Sequence, residues 1–315
     1  MTESDGQLFD LGYRHYEGPR EGRMRARKAL FVNGVRTSFG LGRGATAKIL
    51  PIAFFLFVMT PAVILALVAS TFGEIAPGET LPGHADYYQI VSLLILIFSA
   101  IIAPELLCSD RRNGVLSLYM VRPLTSTDYV LGRWAAFFAI TILFVYAGQI
   151  VLLLGLVLGA DEPLTYLKDN WLDVPRFLAA GAVVALLTTT IPLTVASLTE
   201  RRAIASVVVI GLFIVTISVA NILVQCPEHD REINDGQIIA EDCEPLTGSA
   251  AKWLGLIDIG STPIHLSDMI FDKENDEQLA IQVAKLRNVY PILWYALWIA
   301  GPGLLLLARY RRISS

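Results

Sequence analysis

Long apolar runs separated by short polar ones dominate the chain. Six of them supply the roughly 20 apolar residues that a hydrocarbon core of about 30 Å requires. They are Ile49–Phe72, Tyr88–Leu107, Trp134–Leu158, Phe177–Leu198, Ala203–Val224 and Pro291–Ala308. Shorter patterns sit between them. From Met24 to Phe39, Leu30, Phe31, Val35 and Phe39 recur at helical spacing among many basic groups, which predicts a helix lying on the membrane surface before the first span. A plain basic tail explains the charges equally well but explains the apolar periodicity less well. Between the second and third runs, the stretch SDRRNGVLSLYMVRP places Val115, Leu118 and Tyr119 on one face behind a charged cluster. That predicts an amphipathic helix of about three turns over 110–121, ending before Pro123. Thr125 followed by Asp128 then has the layout of a capping box. From there the pattern continues unbroken to Gly159, a helix of about 34 residues and ~51 Å, longer than the bilayer core needs. In the last run, Gly301, Pro302 and Gly303 predict a kink.

Composition turns this pattern into a class. With 54% hydrophobic and 17% charged residues in 315, the chain is a polytopic membrane protein, and its net charge of −4 argues against nucleic acid as a partner. The first 48 residues are polar and the first apolar run is long enough to stay in the membrane, so no cleavable signal is expected. Placing both termini inside puts 18 of the 25 Lys and Arg on the cytoplasmic side: nine in the first 48 residues, four from Arg111 to Arg133, Arg201 and Arg202, and three in Arg309 to Arg312. The opposite side has none between the first two spans. Its longest loop, 226–288, carries thirteen Asp and Glu against five Lys and Arg. Three parts result: a cytoplasmic segment 1–48, a six-helix membrane domain 49–308, and a cytoplasmic tail 309–315.

The outer loop holds Cys226 and Cys243. On an oxidising side a disulfide between them is the favoured reading, and two unpaired thiols the alternative. Metal binding is a poorer reading, because His229 and His265 lack a ligand spacing. Further along, the run Trp253 to Phe271 is apolar but cut by Asp258, a Gly-Ser-Thr-Pro turn and Asp268. Short helices at, or dipping into, the outer face are expected, with a small self-packed cap as the alternative.

Chemistry is sparse. The stretch GLGRGATAK, Gly40 to Lys48, lacks the glycine spacing of a phosphate-binding loop, and the four histidines fall on separate loops, so no catalytic constellation assembles. An enzyme is not expected. Any ATP-driven work would need another chain. Within the spans, Glu105 beside Pro104 reads first as an interfacial residue paired with Arg133 or another basic group, and second as a gating residue. Gln149, Asn221 and Thr188 to Thr190 suit hydrogen bonds between helices. The GLVLG at Gly155 to Gly159 fits a small-residue helix contact.

The inner connection carries a resemblance. Asp110, Gly114, Arg122, Pro123, Tyr129, Leu131, Gly132 and Arg133, within the six-span plan, resemble the permeases of type-2 ABC exporters, and LGYRHYEGPR at Leu11 to Arg20 is similar to the start of actinobacterial-looking members. One branch that it resembles includes the permease of the nitrous oxide reductase maturation system. The resemblance implies an all-α membrane protein: six transmembrane helices, an N-terminal amphipathic elbow helix, a cytoplasmic coupling helix, and short outer re-entrant or interfacial helices before the last span. It implies a prokaryotic plasma-membrane permease, dimerising with a second copy or a homologous permease among membrane lipids. A separate dimer of nucleotide-binding ATPase subunits would supply ATP and Mg, leaving no cofactor in this chain. Coupling to it would fall on Asp110, Arg111, Arg112, Gly114, Leu118, Tyr119 and Arg122. The family often has Glu where Asp110 stands, and this outer loop is longer and more acidic than the short form. The main rival is a scaffold that transports nothing and holds an outer partner through the acidic loop. A secondary carrier, disfavoured by the lack of buried charge and of an inverted repeat, ranks third.

Overall fold

The computed structural model describes residues 18, 22–42, 44–75, 83–119, 124–160, 162–224, 231–234, 237–240, 249–273, 279–283 and 286–314. In chain order the helices are α1 (Gly22–Ser38), α2 (Thr46–Ile75), α3 (His84–Arg112), α4 (Leu116–Tyr119), α5 (Ser126–Gly159), α6 (Pro163–Asp169), α7 (Asp173–Leu198) and α8 (Arg202–Val224). A hairpin of β1 (Arg231–Asn234) and β2 (Gln237–Ala240) comes next. After it stand α9 (Ser249–Leu254), a 3-10 turn Gly255–Ile257, α10 (Thr262–Phe271), α11 (Ala280–Val283) and α12 (Val289–Ser314). Helices α2, α3, α5, α7, α8 and α12 are each long and apolar enough to cross a membrane, matching the six expected spans. The antiparallel hairpin, with Arg231 opposite Ala240, departs from a purely helical expectation within the outer loop. Cys226 and Cys243 lie outside the described residues, and so does the expected bond between them.

Helices α3 and α7 form the centre of the bundle, each packed on the other and on α5 and α8. Their composition explains the position. Small and hydroxylated residues let backbones approach, and a hydroxyl buried in lipid must find an acceptor. Ser92 donates to the Tyr88 carbonyl at 2.6 Å, Thr188 to Val184 at 2.7 Å and Ser197 to Thr194 at 2.6 Å, all within their own helices. Thr188 therefore does not make the expected bond between helices. Thr190 does, accepting from Trp134 Nε1 at 3.1 Å, and Gln149 does through His84 at 2.5 Å. In α12 the helix runs unbroken past Gly301 to Gly303, and the Thr194 hydroxyl lies 3.0 Å from the Pro302 carbonyl. The GLVLG pattern is used inside the chain: a Cβ on Gly159 would lie 2.6 Å from Ser70 Cβ, and Gly155 backs onto Ala66, so α5 and α2 pack closely there.

Two placements set the surroundings of the polar residues at the helix ends. Helix α1 covers most of the stretch expected to lie on the membrane surface, and its packing partner is α5. It runs alongside the first half of α5 in the same direction, with Arg23 on Asp128, Leu30 over Gly132, Gly34 against Ala136 and the Phe39 ring 6.0 Å from that of Phe144. Its apolar face is thus taken up by α5, and its second half lies beside an apolar stretch of that helix. At the other end, His84 at the start of α3 pairs with Gln149, ten residues and ~15 Å before α5 finishes at Gly159. Helix α2 keeps level with α5 there, so α3 and α7 leave a step, and α10 packs against α3, α7 and α12 within it.

The interfaces predict a contrast between two glycines. A Cβ on Gly148 would strike the Tyr87 ring and hydroxyl, whereas Gly211 has nothing within 4 Å of its Cβ position. Gly148→Ala is expected to cost about 1–3 kcal/mol through overpacking. Gly211→Ala is expected to leave stability unchanged or raised, and thermal unfolding of the two variants in detergent compares them.

Candidate functional site

The expected capping box is present and does more than start a helix. Thr125 Oγ1 accepts from the Asp128 amide at 3.2 Å and Asp128 Oδ2 accepts from the Thr125 amide at 3.0 Å. The same carboxylate takes Arg23 Nε at 2.8 Å and Arg27 Nε at 2.7 Å, which ties α1 to the first turn of α5. One turn on, Tyr129 and Arg133 share a face at a spacing of four. Both reach one oxygen: Tyr129 Oη donates to Asp110 Oδ2 at 2.8 Å and Arg133 Nη2 donates to it at 2.6 Å. The guanidinium carbon sits 5.7 Å from the ring centroids of both Tyr119 and Tyr129, within cation–π range. Tyr310 from α12 closes the other side, its ring 5.3 Å from that of Tyr129.

Arg133 keeps only 2% of its exposure, and its Nε and Nη1, like Tyr310 Oη, have no hydrogen-bond partner among the described residues. Around this centre other links gather the inner helix ends. Arg111 Nη1 donates to the Ser197 carbonyl at 2.5 Å and Nη2 approaches Glu200 at 3.5 Å, a cation at the carboxyl end of α7 where it offsets the helix dipole. Cys108 Sγ lies 3.4 Å from the Ala196 carbonyl and 3.3 Å from that of Thr199. Arg202 on α8 pairs with Glu105. Glu105 thus has the basic partner expected of an interfacial residue, supplied by Arg202 because Arg133 is committed to Asp110.

The stretch 110–121 divides differently from the sequence expectation. Helix α3 runs through Arg112, so Asp110, Arg111 and Arg112 belong to the second span's last turn. Gly114, with φ at +66°, breaks the direction in a conformation that favours glycine, and α4 supplies one turn from Leu116 to Tyr119. The physical reason is that Asp110 and Arg111 find buried partners on α5 and α7, which holds them in α3. Asp110 and Tyr119 face Arg133, whereas Arg112 and Gly114 are exposed at the tip. The Leu118 side chain and all of Arg122 lie outside the described residues.

A second polar group occupies the outer step. Asp258 Oδ1 accepts from the Ser261 amide at 2.9 Å, just before α10. Burial pushes the Asp258 carboxyl up from its ordinary value and holds the His265 imidazole below its own. Lys273, delivered by the left-handed Asp272 at the end of α10, bonds Asp86 of α3 at 2.8 Å.

The inner contacts tie the ends of α3, α5, α7, α8 and α12 together. A family model described as ABC-2 family transporter protein matches residues 52–313. The chain belongs to that family. It is an ABC transporter permease, a membrane transport component that is not itself catalytic, and such permeases work with an ATPase subunit. No match was found among curated proteins.

Sequence reasoning missed four contributors to the permease's inner joint: Arg23 and Arg27 on Asp128, Arg202 on Glu105, and Tyr310. The basic run at 309–312 was legible, but not that its tyrosine turns inward between arginines that turn out. The joint predicts unequal costs. Arg133→Ala leaves the part-buried Asp110 without its cation and empties the space between the Tyr119 and Tyr129 rings, and is expected to destabilise the permease by about 2–4 kcal/mol. Glu105→Gln, at a more exposed pair, is expected to cost much less. Denaturation midpoints of the purified variants test the order.

Proposed function

We propose that this chain is the transmembrane half of an ABC exporter. It pairs with a second copy or a homologous permease in a prokaryotic plasma membrane, with both termini in the cytoplasm. The carrying observation is the joint of Asp110, Tyr119, Tyr129 and Arg133, which fastens α4 to the inner ends of α3 and α5 at once. Two ATPase subunits on separate chains hold ATP and Mg and dock on the tip around Arg112, Gly114 and α4, with Leu118 and Arg122 in the same segment. The excess of Lys and Arg on this side supports the assignment of that tip to the cytoplasm.

Closure of the ATPase pair pushes α4. Because Tyr119 seats α4 against the Arg133 guanidinium, which is itself paired with Asp110 of α3, the push tilts α3 and the 34-residue α5 together and converts an inward-open path to an outward-open one. Asp110 and Tyr119 hold the joint from inside, and Arg111 fixes it to α7. Helix α1 acts as an elbow brace through Asp128, and α10 closes the outer mouth from within the step. Glu105 serves as an anchor for Arg202 rather than as a gate.

Co-expression with an ABC ATPase subunit drawn from the adjacent genes tests this reading. The permease is expected to co-purify with that ATPase and to stimulate its hydrolysis severalfold. Gly114→Pro, incompatible with a φ of +66°, is expected to abolish the stimulation while the protein still folds. Stimulation unchanged in Gly114→Pro, together with loss of function on deleting 226–243, would instead establish the scaffold role.

A further inference from the structure

The outer step contains a carboxyl group that the transport reading does not use. Asp268, on the inward side of α10, is 2% exposed. Its Oδ2 accepts from Gln282 Nε2 of α11 at 3.0 Å, while Oδ1 has no hydrogen-bond partner among the described residues. Two further buried polar atoms of the same region, His84 Nε2 and His265 Nδ1, are likewise without one. The backbone around Asp268 is tied to the rim. Its carbonyl accepts from the Lys273 amide at 3.0 Å in the turn that ends α10, and the Lys273 ammonium crosses to Asp86, which also caps α3 through the Gly83 amide at 2.7 Å. One carboxyl therefore sits where the cap, α11 and the rim of α3 meet.

We propose that Asp268 makes the outer cap a proton-sensitive latch: its protonated form keeps α10 seated in the step, and its ionised form loosens it. The groups that face it come from each neighbouring element. Asp86 and Gln89 face it from α3, Gln282 from α11 and Lys273 from the end of α10. Helix α7 presents Asp173 beside His84 instead, and the α12 hydroxyl of Tyr295 is engaged by the Val183 carbonyl at 2.7 Å. His265 is the other titratable group on α10 itself. Burial is the dominant influence, raising the Asp268 carboxyl to about 6 against the lesser pull of Lys273. A carboxyl that is harder to ionise when seated than when exposed stabilises the seated state in acid. That contribution declines as pH rises from about 4 through about 6 and is gone above. Enclosure of the negative charge away from solvent is the main cause, and the neighbouring Asp86 adds to it against Lys273, Gln89 and Gln282.

Hydrogen–deuterium exchange of the 262–271 region tests the latch in the full chain in lipid nanodiscs, corrected for intrinsic exchange and requiring no transport activity. Protection is expected to fall about tenfold or more between pH 4.5 and 6.5 and to level off above. Asp268→Asn is expected to hold the acid-level protection throughout, and Lys273→Gln to move the levelling point to higher pH. His265→Gln is expected to leave the profile in place. Where Asp268→Asn fails to fold, the Lys273→Gln profile decides. A wild-type profile flat with pH, a pH dependence surviving in Asp268→Asn, an unmoved levelling point in Lys273→Gln, or a dependence lost in His265→Gln would each overturn the proposal. The outcome is independent of the exporter reading, which stands or falls on ATPase stimulation.

Discussion

A guanidinium enclosed by protein at one end of the helix bundle governs this architecture. An isolated buried cation is costly, so Arg133 is tolerable only where a carboxylate and aromatic faces surround it. Supplying them brings together the end of α3, the start of α5, α4 and the end of α12, with α1 braced on the turn before. The charge also fixes depth. Arg133 lies 16 residues before Gln149, ~24 Å along α5, so the ionic layer and the outer polar layer are separated by less than a hydrocarbon core.

Between those layers the bundle is built differently. Hydroxyls in α3, α5 and α7 mostly return to carbonyls of their own helices, as Ser92, Thr141 and Thr188 do. Such bonds travel with the helix, so small sliding between α3 and α7 leaves few donors unpaired, which suits shear more than hinge motion. The ends carry the charged bonds between elements: Arg111 to Ser197 and Arg202 to Glu105 at one end, Lys273 to Asp86 at the other.

The range of each interaction decided what was legible in the sequence. The spans, the 34-residue third span and the Thr125 cap depend on composition and on neighbours within four residues, and all were readable. The extent of the coupling segment was not, because Asp110 and Arg111 are kept in α3 by partners 23 and 86 residues away. The packing partner of α1 was not legible for the same reason. Its apolar face has the periodicity of a helix on a lipid surface, and only the small residues facing it on α5, Gly132 and Ala136, reveal that protein takes that place. The exchange of partners between Glu105 and Arg133 was open too, since pairing of charges across helices leaves no local signature. Asp268 was visible only as an interruption in an apolar run.

The order of the chain gives the brace on Asp128 a consequence for biosynthesis. Helix α1 leaves the ribosome first, yet its ion-pair partner lies 105 residues later. Until the third span is inserted, its basic face has no acidic partner there, and anionic headgroups are the available counter-charge. Tyr310 is made later than α3, α4 and α5, so its side of the joint is covered only when α12 is in place. The joint is therefore completed late: an arginine made within the third span waits for a tyrosine of the sixth, and until α12 packs beside α5 that side of the aromatic enclosure stays open.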